Sequence, residues 1–272
     1  MSWKLGTIGF AYADWAGVFY PPDLPTERRL SYYATQFPAI ELDTTYYGLP
    51  SESTVDRWRA QVPEDFIFSL KSPAQITHEA DRLVGEFALW REFEKLAARL
   101  GEERTVLLLQ FGPSFAAPRL PDLKSLLQST VTKAKLAVEL RHPSWWEPAT
   151  IPAVAGLLRD HAACWVQNDL APLDEAGKVP LGTRYVPRPA PATTDWTYLR
   201  LCGIHDQCGD SRELVDATPR LQWWLDQLGE VRSGLGFCGN SFAGYGPGTA
   251  GKLGRLLDIP EPTPWQPGLF DG

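Results

Sequence analysis

The chain is poor in the residues that build metal and disulfide frameworks: its 272 residues hold four His, four Cys and one Met. The cysteines (Cys164, Cys202, Cys208, Cys238) are scattered with no paired spacing. That excludes a thiolate zinc motif and a disulfide framework, and it fits reduced thiols in a cytoplasm. The histidines (His78, His142, His161, His205) form neither a His-x-His pair nor a His-Glu-x-x-His motif. Gly-rich phosphate loops of the two common types and a Gly-x-Ser-x-Gly nucleophile elbow are missing as well. No apolar run approaches the length of a membrane span, and no leader is read ahead of the first strand, so the expectation is a soluble cytoplasmic protein. A basic excess is also lacking. With 26 Lys and Arg against 33 Asp and Glu, the net charge of −7 excludes a surface coated for nucleic acid, though not a local basic cleft.

Present instead are eleven Trp, 44% hydrophobic residues and a recurring strand pattern. Strand-like runs lie at 3–7, 40–44, 66–71, 106–111, 136–141, 164–169, 197–202 and 235–240. Their spacing suits βα units of roughly 30 residues, and eight is the number that closes a parallel barrel. Helices are expected over 26–37, from Ser51 onward as a hydroxyl cap, over 82–100 with Gly101 as its stop, over 212–228 and over 251–258. The stretch 171–195 is rich in Pro and Gly and holds no helix pattern. The expected fold is therefore an α/β, TIM-like barrel over 1–260, irregular between its sixth and seventh strands, followed by a Pro-rich extended tail at 261–272.

The most informative segment is Leu136-Ala137-Val138-Glu139-Leu140-Arg141-His142-Pro143-Ser144-Trp145-Trp146. Read with a period of two, Leu136, Val138 and Leu140 form one apolar face, while Glu139 and Arg141 point the other way. The second run places Glu41, Asp43 and Thr45 together, the third Ser69 and Lys71, and the seventh Tyr198, Arg200 and Cys202. The fourth ends in Gln110, the sixth in Gln167-Asn168-Asp169 and the eighth in Asn240. Charges aimed into a barrel must be paired or used.

Three readings of this mixed-sign set stay open. One is a buried salt-bridge lattice of Lys71, Arg141 and Arg200 with Glu41, Glu139 and Asp169. In the second, Glu41, Glu139 and Asp169 are catalytic carboxylates, and Lys71, Arg141 and Arg200 hold an anionic substrate. Gln110, His142, Asn240 and the aromatic residues Tyr46 and Trp145 complete that binding set. In the third, a divalent metal is the cofactor, held by Glu41, Glu139, Asp169 and His142. His142 has the alternative of bonding backbone before Pro143, and His78 that of capping a helix start. Tyr46, Tyr47, Trp145 and Trp146 also suit a sugar-binding rim.

Several motifs resemble the YecE-like family, domain of unknown function 72. They are Asp14-Trp15-Ala16-Gly17-Val18-Phe19-Tyr20-Pro21, Glu41 through Ser51 with Trp58, Lys71 with Ile76-Thr77-His78, Leu109 through Phe115, Glu139 through Trp145, Asp169, and Tyr198-Leu199-Arg200-Leu201. The resemblance implies a TIM-like barrel related to xylose-isomerase-like barrels, among them metal-dependent apurinic endonucleases; at the level of fold alone this says little of function. The chain departs from the family pattern at Ile8, where Ser is usual, at Asp43-Thr44-Thr45 in place of Asn-Ser-Thr, at Cys202 in place of His, and at Gly239-Asn240 in place of two Asn. These departures weaken an anion cradle after the first strand and a base or metal ligand from the seventh.

Two functional expectations result. One is a hydrolase-type enzyme acting on a phosphodiester or other nucleic-acid-related anion at the barrel mouth, the other a carbohydrate or sugar-phosphate enzyme. A third, non-catalytic reading comes from the tail. Gln266, Leu269 and Phe270 resemble the pentapeptide that binds the bacterial sliding clamp, so the tail is expected either to recruit that partner or to fold back onto the barrel.

Overall fold

The computed structural model describes residues 3–79, 87–170, 187–203, 212–229 and 233–260. Within them the alternating runs form strands β1 (Lys4–Thr7), β2 (Ala39–Leu42), β3 (Ile67–Lys71), β4 (Thr105–Gln110), β5 (Lys135–Glu139), β6 (Ala163–Trp165), β7 (Gln167–Leu170), β8 (Thr197–Gly203) and β9 (Gly234–Cys238). Every pairing is parallel, in the orders β2-β3-β4-β5-β6 and β1-β9-β8-β7. β6 and β7 are two halves of one barrel strand, interrupted at Val166. The first half pairs with β5 and the second with β8, and Val166 N still donates to Val138 O at 3.0 Å across the junction. The eight expected strands are thus all present, and the fold is the TIM-like α/β barrel. Residues 187–196, leading into β8, carry neither helix nor strand.

The seam between β1 and β2 is equally thin: one bridge from Ile8 to Glu41, and Gly9 N donating to Glu41 O at 2.8 Å. Two residues let these strands approach. A side chain on Gly6 would place its Cβ 1.9 Å from Ala39 O. Tyr33 then staples the gap, its hydroxyl accepting from Thr7 N at 2.7 Å and donating to Ala39 O at 3.0 Å.

Helices α1 (Arg29–Gln36), α2 (Glu52–Ala60), α3 (Ala74–Thr77), α4 (Phe87–Leu100), α5 (Leu120–Ser129), α6 (Ile151–Asp160), α7 (Thr218–Leu228), α8 (Asn240–Ala243) and α9 (Gly246–Leu256) follow or flank the strands. Ser51 caps α2 as expected, accepting from Thr54 N at 3.3 Å. Three starts differ from expectation. α1 begins at Arg29, not 26, behind a 3-10 turn at Thr26–Arg28; the other two have a local reason. α7 begins at Thr218, not 212, because Asp216 accepts from Thr218 N and a proline sits in the first turn. α9 begins at Gly246, not 251, again with proline in its first turn and with Asn240 Oδ1 accepting from Gly246 N at 2.9 Å. α5 lies outside the expected set; Leu123, Leu126 and Leu127 are its buried face.

Strand parity divides the core. Ile40, Leu42, Phe68, Leu70, Leu107, Leu109, Leu136 and Val138 face outward under the helices. Val106, Leu108, Ala137, Cys164, Tyr198, Leu235 and Phe237 pack together on the inside. The inward positions nearer the strand ends hold the charges, at the face where barrels of this kind carry their loops.

Candidate active site

Arg200 is the centre of the inward-facing cluster. Projecting from β8, it donates from Nη2 to Glu41 Oε1 at 2.8 Å and from Nε to both Glu41 oxygens at 3.0 and 2.9 Å, while its Nη1 reaches Glu139 Oε2 at 3.1 Å. Tyr198, two residues earlier on the same face, donates to Glu41 Oε2 at 2.7 Å and contacts Ser69 Oγ at 2.8 Å. Glu139 Oε1 accepts from Arg141 Nε at 2.5 Å and Asn168 Nδ2 at 2.7 Å. All three central charges are buried, with Arg200 5%, Glu41 0% and Glu139 1% exposed. Burial opposes the charge of Glu139, but Arg141, Arg200, the hydrogen bond from Arg141, and Lys71 outweigh it and hold the carboxyl below its usual range. Both glutamates are thereby committed to guanidinium partners.

Around this floor stands a less saturated ring. Lys71, the last residue of β3, places Nζ 3.8 Å from the centroid of the Tyr46 ring. Among the described residues no carboxylate lies within ion-pair distance of it. Burial, with Arg200 and Arg141 nearby, pushes its amine down to about 8. Tyr46 meets His78 edge-on at 5.0 Å. His78 Nδ1 contacts Thr77 Oγ1 at 2.9 Å and Nε2 lies 3.4 Å from Gln110 Nε2. Because the Gln110 amide is a donor, the neutral ring carries its proton on Nδ1. Burial first, then Lys71 and Arg141, depress His78 to about 4. Gly112 makes room for the ring, since a Cβ there would lie 2.8 Å from His78 Cδ2. Asp43 is raised above the usual carboxylate range by burial and by Glu41, while Lys71 and Arg200 pull the other way.

Of the expected site residues, the structure brings together Glu41, Glu139, Lys71, Arg141, Arg200, Gln110 and Tyr46. It does not bring Asp169, Asn240, Trp145 or His142 to them. Asp169 faces outward from β7, where Oδ2 accepts from Trp224 Nε1 at 2.6 Å and pairs with Arg220 Nε at 2.8 Å, anchoring α7. Asn240 is the first residue of α8, past the end of β9, and holds the head of α9. Trp145 is fully buried in the outer core, stacked on Phe115 and donating to Phe115 O at 2.5 Å. His142 caps the turn Pro143–Trp146, its Nδ1 accepting from Ser144 N at 3.1 Å. With Asp169 and His142 elsewhere, the expected metal set is not assembled, and among the described residues no group of three or more His, Cys, Asp or Glu could hold an ion. Gln266, Leu269 and Phe270 lie outside the described residues, as does 171–186.

The expected roles leave out Asp43, Asn168, Tyr198 and His78, which the geometry adds. Parity is the signal that finds Asp43 and Tyr198, because each alternates with an apolar, outward-facing neighbour. A separate cavity of about 540 Å³ lies outside the barrel between α1 and α9, lined by Phe37, Phe66 and Tyr245 among others. It holds none of these charged groups.

Fold and cluster together define an α/β barrel carrying a buried, mixed-sign polar network inside the mouth. The chain belongs to the family described as "Protein of unknown function DUF72", whose model matches residues 4–268. It is 38% identical over 122 residues to UPF0759 protein YecE of Escherichia coli K12, covering 43% of each chain. It is 24% identical over 136 residues to UPF0759 protein YunF of Bacillus subtilis, covering 47% of this chain and 48% of that one. These matches span less than half the length of either relative. A solved DUF72 family protein from Thermotoga maritima superposes with a TM-score of 0.72 at 26% identity, over 95% of this chain and 100% of that one. One from Enterococcus faecalis, 21% identical, shares the fold with a TM-score of 0.67 over 97% of this chain and 99% of that one. Among the described residues no helix is long and apolar enough to cross a membrane.

Proposed function

We propose that the barrel mouth binds a small anionic substrate and performs acid–base chemistry on it. The observation that carries this reading is Lys71, a largely buried cation with no carboxylate at ion-pair distance among the described residues, set beside Arg141. Glu139 fixes Arg141 through Nε, and among the described residues nothing else holds its guanidinium, which leaves both terminal nitrogens to meet a carboxylate or phosphate in the two-pronged manner Arg favours.

The carboxylates divide the labour. Glu41 and Glu139 are held by Arg200, so they orient and neutralise it and do not move protons. Asp43, with its raised affinity for a proton, is the acid–base group. In the hydrolytic form of the reading, Asp43 takes the proton of the attacking water while Lys71 and Arg141 stabilise the charge that develops on the substrate. Neutral His78 and Gln110 supply polar atoms to the same wall. Support for nucleic acid as the substrate is confined to the anion-binding chemistry. The overall charge of −7 opposes long-range attraction of a polyanion.

Calorimetric titration of the full chain with inorganic phosphate and with small carboxylates tests the proposal. Saturable binding that weakens at least about tenfold in both Lys71→Met and Arg141→Met supports it. Equal binding by all three proteins removes it.

A further inference from the structure

Resting on that reading, we infer that Lys71 is a covalent nucleophile, forming an imine with the carbonyl carbon of an aldehyde or ketone whose neighbouring group is anionic. Such a substrate is a small α-keto acid or a phosphorylated sugar in its open form.

The placement of the amine argues for it. Among the described residues, Arg200 and Arg141 each meet a carboxylate, and so do Lys4, Lys95 and Lys252 at the surface. Lys71 meets an aromatic face instead. A lysine kept only for structure inside a barrel needs a counter-ion to offset its desolvation; one kept for attack needs a free lone pair. Burial next to other cations is a recognised physical route to such an amine, because both effects disfavour the ammonium form. Lys71 has both, and at about 8 a useful fraction is neutral near physiological pH. The face of Tyr46 suits the product as well, since an iminium is a cation and rests on the ring as the ammonium does.

The surrounding groups supply the remaining steps. Lys71, having lost one proton to solvent, donates its lone pair to the carbonyl carbon. The C–N bond forms and the C=O π pair moves onto oxygen. The Asp43 carboxylate takes a proton from the nitrogen and passes it to that oxygen, giving the carbinolamine. Asp43 then takes up from solvent the proton that Lys71 released and gives it to the hydroxyl, which departs as water, leaving the iminium. In sum, an ammonium and a carbonyl give an iminium and one water, and no oxidant or reductant is consumed. The terminal nitrogens of Arg141 hold the anionic group beside the carbonyl throughout.

The test is reductive trapping. The full chain is incubated with pyruvate or with glyceraldehyde 3-phosphate and sodium cyanoborohydride near pH 8, and the adduct is located by peptide mass mapping. The expected result is a single dominant secondary amine at Lys71, formed on the order of tenfold or more faster than at any other lysine. It is absent from Lys71→Arg, which keeps the charge and is checked for folding by circular dichroism. Which of the two probes reacts distinguishes a keto acid from a sugar phosphate. Adducts spread evenly over surface lysines, in amounts unchanged by Lys71→Arg, overturn the inference. If phosphate or carboxylate still binds by calorimetry but no Lys71 adduct forms, imine chemistry is wrong and the anion site survives. If neither is seen, both are wrong.

Discussion

Arg200 grips both oxygens of Glu41 from opposite sides of the barrel interior, at 2.8 to 3.0 Å, across 159 positions of sequence. Because the two residues belong to different sheets, this contact ties β2 to β8 through the centre of the fold as well as organising the site.

The first prediction concerns that tie. Glu41→Ala leaves Arg200 buried with half its partners gone, and removing one member of a buried ion pair typically costs about 3–5 kcal/mol. Urea denaturation of wild type and variant reads the loss. A change under about 1 kcal/mol would show that the interior is wetter than the structure indicates.

Asp169 should behave in the opposite manner to a site residue. Asp169→Asn weakens its bonds to Trp224 and Arg220, so stability falls by about 2 kcal/mol while anion binding at the mouth is unchanged. Loss of binding with stability intact would place the carboxylate on the other face of β7.

Lys71 gives stability a defined pH dependence. Its folded amine titrates near 8, below its ordinary 10.5, so between these values the unfolded chain binds more protons than the folded one. Stability relative to Lys71→Met therefore rises as pH climbs through this window, by up to about 3 kcal/mol. A difference that stays flat from pH 7 to 11 is the contrary result, read by denaturant titration at each pH.

His78 is depressed in the same direction and titrates near 4. The unfolded imidazole takes up its proton first as pH falls, so the contribution of His78 to stability is present above pH 6.5 and lost as the solution approaches 4. Imidazole NMR should show this residue neutral, with the proton on Nδ1, at pH 6. A midpoint above 6 would mean that the ring is solvated.

Gly6→Ala tests the seam. Its Cβ would press on a backbone oxygen, Ala39 O, which has little freedom to retreat. Overpacking of this kind costs about 1–3 kcal/mol, and a loss in thermal denaturation is expected. An alanine variant as stable as wild type would show that β1 and β2 are not tightly joined.

Much of this architecture is legible in the chain. All eight barrel strands can be read from their apolar runs and spacing, and in β2 and β5 the outward residues Ile40, Leu42, Leu136 and Val138 alternate with smaller or polar inward ones. Glu41, Lys71, Glu139, Arg141 and Arg200 stand out for the same reason, since each interrupts an apolar run with a charge. Parity fails as a guide where both faces are polar. In Gln167-Asn168-Asp169 nothing local says which side is inside, and the structure turns Asn168 in and Asp169 out. Trp145 and His142 are illegible for a different reason. They follow the end of β5, in a turn whose path depends on the Phe115 segment it packs against, and pairwise tertiary contact of that sort leaves no periodic trace.

The most direct test of the account is where an anion comes to rest. In a crystal soaked with selenate, a tetrahedral dianion with an anomalous signal, the account predicts a peak within hydrogen-bond distance of both Lys71 Nζ and the terminal nitrogens of Arg141. Anomalous peaks found only on the outer surface, with none between those two side chains at full soaking concentration, would contradict it.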